Sequence, residues 1–132
     1  MSNFVYQFLA SSFPNEVKFQ RENINVTTID IEVASDQGFP EPEQAAHQVI
    51  SITCKNNVDN VYYVWGLYEY DETLNDKDIK YFHCETEANL LRSFLGWWSS
   101  PTNCPDVVTG WNTKMFDIPY LVNLMNRVLS DN

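Results

Sequence analysis

The chain has 132 residues, 44% of them hydrophobic and 14% aromatic, which is enough to bury the core of a single domain. The formal net charge of −10 argues against a nucleic-acid-binding module that relies on lysine and arginine alone, but not against an enzyme that contacts phosphate through metal ions. No apolar run approaches the roughly 20 residues of a membrane span and no secretory signal is present, so we expect a cytoplasmic protein without a membrane contact.

The first half of the chain predicts an antiparallel meander. Residues 1–25 form an N-terminal extension, in which the apolar residues between Phe4 and Leu9 predict a short strand that Pro14 ends. Three segments of alternating or β-branched residues follow, joined by a loop rich in glycine and proline and by a turn of asparagine and aspartate. Short connections between successive strands favour antiparallel pairing. The three strands are expected at residues 26–34, 48–54 and 61–67.

The second half predicts helices packed against a further strand. An acidic segment, residues 68–78, is typical of a solvated loop, whereas Val107 and Val108 predict a buried strand. A meander followed by a helix, a strand and a helix predicts an α/β domain whose mixed sheet combines an antiparallel meander with a parallel strand and is flanked by helices. These elements are expected as a short strand at 79–83, a helix at 86–99, a strand at 106–111 and a helix from 117 onwards.

The first candidate functional segment is TTIDIEV, residues 27–33. Successive side chains of a strand point to opposite faces, so Asp30 and Glu32 share one face while Ile29 and Ile31 share the other. The Cα atoms of the two acids would lie about 7 Å apart, which suits carboxylates that converge on one or two divalent ions. Taken alone, the heptad is explained as well by an ordinary half-buried strand with its polar face in water.

The second candidate segment is TGWNTKMFDIPYL, residues 109–121, where a strand end, a glycine turn and a helix start meet. Asp117 at this junction can join the acid pair of the first segment and complete an oxygen site for Mg²⁺ or Mn²⁺. Such a site would serve metal-assisted hydrolysis of a phosphodiester. Alternatively, Asp117 is a helix N-cap, Asn112 a turn residue, and Trp111 and Phe116 core residues.

Two longer motifs occur in order along the chain: IDIEVASDQGFPEPEQAAHQVISIT, with D-I-E followed by F-P-x-P, and VVTGWNTKMFDIPYLVN, with G-W-N and F-D-I-P-Y. Together with the helix ETEANLLRSFLGWW between them, they resemble the 3′–5′ proofreading exonuclease domain of family B DNA polymerases, in its T-even-type bacteriophage branch. The resemblance covers about residues 26–128. It implies a ribonuclease H-like fold, with residues 26–132 forming a partial exonuclease domain.

The resemblance implies a role for each acid of the two motifs. Asp30 and Glu32 match the acids of the family's first motif, and Asp117 matches the acid of its second. All three would be catalytic residues and metal ligands. The implied cofactors are two divalent cations, Mg²⁺ or Mn²⁺.

The same resemblance implies the residues that bind the substrate, the 3′ end of single-stranded DNA. Asn112 matches an asparagine near the scissile end. Phe116 matches an aromatic residue beside the terminal nucleotide, where stacking contributes about 1–3 kcal/mol per base. Phe39 of F-P-E-P would face the strand being digested.

The chain departs from the family at a third motif, Tyr-x-x-x-Asp, which supplies a fourth carboxylate on a helix downstream. The only acid after Asp117 is Asp131, and no tyrosine stands four residues before it. We therefore expect a truncated domain that is inactive or very slow in isolation, with the remaining polymerase polypeptide as a partner. If the protein is encoded by a phage, the host cytoplasm is its location.

Two alternatives remain open from the sequence. One is a stand-alone nuclease of the same fold whose fourth ligand comes from a partner chain or a dimer mate. The other is a non-catalytic interaction module that keeps the fold and contacts a basic partner through the acidic segment 68–78. The oligomeric state is not indicated by the sequence.

Overall fold

The structure is a computed structural model that describes residues 3–16, 18, 20–36, 38–71, 73 and 78–130. Asp131 and part of the acidic segment 68–78 lie outside these residues. A 3₁₀ turn at Arg21–Asn23 precedes the first strand. The helices and strands are α1 (Phe4–Ser12), β1 (Val26–Val33), β2 (Val49–Asn56), β3 (Tyr62–Gly66), β4 (Ile79–His83), α2 (Glu87–Trp98), β5 (Val107–Thr109) and α3 (Asp117–Leu129).

The five strands form one mixed sheet in the order β4-β3-β2-β1-β5. The pairs β1–β2 and β2–β3 are antiparallel, whereas β3–β4 and β1–β5 are parallel. The predicted antiparallel meander with an added parallel strand is therefore confirmed, and so are the flanking helices. This α/β arrangement agrees with the ribonuclease H-like fold that the motifs imply.

One face of the sheet is buried because the strands alternate apolar and polar residues. In β1, Ile29 and Ile31 point into the core, while Asp30 and Glu32 point to the opposite side and are exposed. Both α2 and α3 contribute to the core on the apolar side. Its side chains include Ile52, Trp65, Leu90, Leu91, Phe94, Tyr120, Leu121 and Leu124. We call the other side of the sheet, which carries Thr28, Asp30 and Glu32, the open face.

Two expectations about apolar segments are wrong. Residues 4–9 belong to helix α1 rather than to a strand, and none of the α1 side chains is buried. A helix satisfies its backbone hydrogen bonds internally, whereas a strand needs a neighbouring strand to pair with. Val107 and Val108 of β5 are exposed, at 47% and 38%, because β5 is an edge strand that pairs with β1 alone.

Within the part of the chain that the structure describes, no helix is long and apolar enough to cross a membrane.

Three side chains on one side of α3 hold the loop between β1 and β2. The buried hydroxyl of Tyr120 donates to the His47 carbonyl oxygen (2.8 Å) and accepts from the His47 N–H (3.0 Å). Asn123 donates to the carbonyl of Pro42 (2.9 Å), and Arg127 donates to that of Ala45 (2.7 Å). The loop that contains F-P-E-P is thereby fixed against the helix that begins at the second motif.

We predict that Tyr120→Phe destabilises the fold by about 1–3 kcal/mol, because half-buried backbone groups of His47 lose their partner while the ring volume is kept. Urea denaturation would measure the change in the free energy of unfolding. Tyr68→Phe is the control. Tyr68 is 65% exposed, so the loss of its hydroxyl should change the free energy of unfolding by no more than about 0.5 kcal/mol. Equal stability of the two variants would show that the hydroxyl of Tyr120 does not anchor the loop.

Candidate active site

The first two candidate acids lie side by side on the open face. In the register of the sheet, Asp30 is opposite Thr53 and Glu32 is opposite Ser51, so both carboxylates have small polar neighbours on β2. Both acids are exposed. Their side chains are therefore accessible to a ligand that approaches the open face.

Asp117 reaches the same strand from its edge. Because β5 is only three residues long, it pairs with Val26–Thr28 and leaves the following part of β1 without a strand on that side. The Oδ1 atom of Asp117 accepts the backbone N–H of Ile31 at 3.1 Å, and only 3% of the residue is exposed. The N-cap alternative is wrong, since the cap position is Phe116, which makes no side-chain cap bond. The second motif is thus fastened to the strand that carries the first.

The environment of Asp117 opposes its negative charge. Burial raises the pKa of the Asp117 carboxyl group, and the charge of Asp30 raises it further. Hydrogen bonds from its own backbone N–H and from that of Ile31 lower the pKa, but the net direction is upward. Two carboxylates that interact in this way, one of them buried, are the kind of group whose charge a bound cation would stabilise.

The turn between β5 and α3 brings Asp117 to the edge of β1. A Cβ atom on Gly110 would collide with Oγ1 of Thr113 and would lie 2.5 Å from the carbonyl oxygen of Ile29, so only glycine allows this approach. Asn112 has a φ of 56°, a left-handed conformation that asparagine tolerates better than most residues. Its carbonyl oxygen accepts the N–H groups of residues 115 and 116, which closes the turn.

Two aromatic side chains from separate motifs contact each other at the start of α3. The rings of Phe39 and Phe116 have their centroids 4.7 Å apart, and Phe39 is 72% exposed. Asn112 is also exposed. The structure therefore brings Phe39 to the residue that directly precedes Asp117, which the spacing of the two motifs in the sequence does not reveal. The alternative that Trp111 is a core residue is wrong, since its side chain is 93% exposed.

The structure brings Asp30 and Asp117 close enough for their charges to interact, and Glu32 follows Asp30 on the same face. Among the described residues, however, no three histidine, cysteine, aspartate or glutamate side chains are grouped closely enough to hold a metal ion. Carboxylate oxygens are the ligands that Mg²⁺ and Mn²⁺ prefer, so the donor chemistry fits these ions.

We predict that Asp117→Asn stabilises the fold in the presence of a chelator. The raised pKa means that the folded chain holds the proton more tightly than the unfolded chain, so the contribution of Asp117 to stability falls as pH rises through this pKa. The variant carries no such charge. The melting temperature of the variant should therefore exceed that of the wild type by a margin that grows between about pH 4, near the ordinary pKa of aspartate, and about pH 7.

Asp36→Asn, which removes an exposed acid of the neighbouring loop, is the control for a general effect of net charge. If both variants shift the melting temperature equally at every pH, burial of the Asp117 charge is not the cause.

Comparisons with known proteins agree with this arrangement. Residues 3–130 match the family model of the exonuclease domain of DNA polymerase family B. The chain is 31% identical to a DNA-directed DNA polymerase of Escherichia phage RB69 and 24% identical to one of Enterobacteria phage T4, and both alignments cover 99% of the chain. It is also 31% identical, over 74% of its length, to a DNA polymerase delta catalytic subunit of Dictyostelium discoideum.

The chain spans only 17% of the length of each phage relative and 9% of the Dictyostelium protein. The family match nevertheless covers nearly all of the chain, including both motifs and every candidate site residue. The mixed sheet with its flanking helices is the arrangement expected of a ribonuclease H-like exonuclease domain. The chain belongs to the family of exonuclease domains of family B DNA polymerases.

Proposed function

We propose that the chain is the 3′–5′ proofreading exonuclease part of a phage-type family B DNA polymerase. It hydrolyses the 3′-terminal phosphodiester of DNA, with residues 26–132 as the partial exonuclease domain and residues 1–25 as an N-terminal extension. The observation that supports this most strongly is the buried carboxylate of Asp117, fastened to the backbone of the strand that carries Asp30 and Glu32. The cytoplasm of a phage-infected host is the corresponding location.

Asp30, Glu32 and Asp117 are proposed as the catalytic residues and as ligands of two divalent cations, Mg²⁺ or Mn²⁺. When bound, such ions activate a water molecule and stabilise the leaving oxygen of a phosphodiester. Asp117 is held in place by the Ile31 N–H, so it offers a fixed oxygen donor. Asp30 and Glu32 are exposed and can adjust to the ions and to the phosphate.

Phe39, Phe116 and Asn112 are proposed to bind the single-stranded 3′ end. The exposed ring of Phe39 and its contact with Phe116 provide an apolar surface beside the acids on which a terminal base can stack. A base must be unpaired to stack in this way, which selects frayed or mismatched ends. Asn112 offers an exposed amide next to this surface.

The missing third motif has a consequence for the isolated chain. Because no Tyr-x-x-x-Asp motif follows Asp117 and the chain spans only 17% of the length of each phage relative, we propose that a further carboxylate comes from the remaining polymerase polypeptide. Removal of one ligand from a two-metal site weakens metal binding and misplaces the attacking water. The isolated chain is then inactive or very slow while it still binds Mn²⁺ or Mg²⁺ weakly.

We predict that the chain alone removes 3′ nucleotides very slowly from a 3′-labelled single-stranded oligonucleotide in Mn²⁺, and that a supplied downstream polypeptide raises the rate. Mn²⁺ should also raise the melting temperature of the wild-type chain but not that of Asp30→Ala, since the metal then lacks a ligand. Rapid digestion by the isolated chain, abolished by Asp30→Ala, would contradict the proposed impairment. Absence of any Mn²⁺ effect would favour the interaction-module alternative.

We predict that Phe116→Ala weakens binding of a single-stranded oligothymidylate with a hydrolysis-resistant phosphorothioate 3′ end by about 5- to 150-fold, which corresponds to about 1–3 kcal/mol for one stacked base. Fluorescence anisotropy would measure the affinity. Phe13→Ala is the matched control, because Phe13 is a 54% exposed phenylalanine at the end of α1, outside the candidate site. An equal loss in both variants would indicate non-specific apolar binding.

A further inference from the structure

A cavity of about 380 Å³ opens next to the first residues of β1, before the acid pair in the chain. Its walls come from the 3₁₀ turn, from β1 and β2, and from the turn after β2. The lining residues are Arg21, Val26, Thr28, Lys55, Asn56, Asn57 and Asn60. Asn57 fixes one wall, because its side chain accepts the N–H of Val26 (2.8 Å) and donates to the carbonyl of Ile24 (2.9 Å).

The two cations of this cavity have no acidic partner among the residues that the structure describes. Within the part of the chain that the structure describes, the guanidinium of Arg21 has neither a hydrogen bond nor an ion pair. The ammonium of Lys55 lies 3.3 Å from the hydroxyl of Tyr62 and 4.4 Å from the centre of its ring, and it pairs with no described carboxylate. The whole chain has 18 acidic and only 8 basic residues, yet these two cations line one cavity and pair with no described carboxylate.

The cavity faces the same side of the sheet as the candidate catalytic acids. Thr28 and Lys55 are opposite each other in the β1–β2 register, so both side chains point to the open face. Asp30 is the next residue of β1 on that face, with its Cα about 7 Å from that of Thr28, and the Cα of Glu32 is about 13 Å away. Successive phosphates of one DNA strand are at least about 3.4 Å apart, so the cavity lies within a few nucleotides of the acids.

We propose that Arg21 and Lys55 form a binding site for backbone phosphates of the DNA strand, a few nucleotides upstream of its 3′ end. This inference rests on the proposed exonuclease function and adds to it the path of the substrate across the open face. The strand lies with its terminal phosphodiester at Asp30 and Glu32 and with an upstream phosphate between the two cations. These cations attract the polyanion locally, although the chain as a whole repels it.

The test compares the salt dependence of DNA binding, measured by fluorescence anisotropy with the phosphorothioate-ended oligothymidylate in Mg²⁺. Each phosphate contact to a single strand contributes about 0.7 to the slope of log K against log salt concentration. The double variant Arg21→Gln/Lys55→Gln should therefore lower the slope by about 1.4 and weaken binding several-fold at low salt. Lys55→Arg keeps the charge and should retain the wild-type slope.

The matched control is Lys80→Gln/Arg92→Gln, which removes the same charge from β4 and α2, outside the cavity. If the control lowers the slope as much as the cavity variant, or if the cavity variant leaves the slope unchanged, the phosphate site is wrong. A dinucleotide is too short to span both sites, and its affinity should be equal for wild type and cavity variant. Free inorganic phosphate that competes only with the wild type for the longer strand would support the same site.

The outcome is separate from that of the exonuclease proposal. If the wild-type chain binds the strand and the cavity variant binds it with the same slope, the phosphate site alone is contradicted. A slope difference without any metal-dependent hydrolysis, even when the downstream polypeptide is supplied, supports the phosphate site and contradicts the catalytic proposal. A wild-type chain that does not bind the strand at all contradicts both.

Discussion

The hydrogen bond between the carboxylate of Asp117 and the backbone N–H of Ile31 joins the two halves of the candidate site. It exists because β5 ends after three residues and leaves the edge of β1 unpaired at the position where α3 begins. A buried N–H group without a partner costs free energy, so the carboxylate performs a structural task that a neighbouring strand performs elsewhere in the sheet. The same contact brings a second negative charge next to Asp30. Stability of the edge and repulsion between the acids are therefore two effects of one arrangement.

Helix α3 organises the rest of the site from its own side chains. Its first residue is the buried acid, the residue before it contacts Phe39, and Tyr120 hydrogen-bonds to both backbone groups of His47. The F-P-E-P loop has no regular structure that would define its position. The aromatic pair consequently depends on α3 being fixed, and α3 is fixed at its start by β1. A disturbance at the edge of β1 would therefore reach the surface proposed to bind the terminal base.

The sequence predicted most of the sheet and both helices of the core because alternation and helical spacing are local properties of the chain. Burial depends on neighbours, which explains two errors. Residues 4–9 are rich in apolar and aromatic side chains, as strands are, but no described strand lies beside them. Val107 is apolar but lies in an edge strand. The motifs identified Asp117, but its bond to Ile31 spans 86 positions and competes with the local N-cap geometry. Neither spacing nor composition indicated that Trp111 is exposed or that Arg21 and Lys55 line one cavity.

The distribution of charge on the open face reconciles an acidic chain with the polyanionic substrate proposed for it. A uniform charge of −10 would repel DNA, and the buried charge of Asp117 beside Asp30 intensifies the negative potential where the phosphodiester is proposed to react. Divalent cations would neutralise that region, but only at the acids. Arg21 and Lys55 lie at the other end of the same strand face, where no carboxylate pairs with them among the described residues. Attraction upstream and metal ions at the acids would then hold the strand along the open face, with its terminal phosphodiester at Asp30 and Glu32.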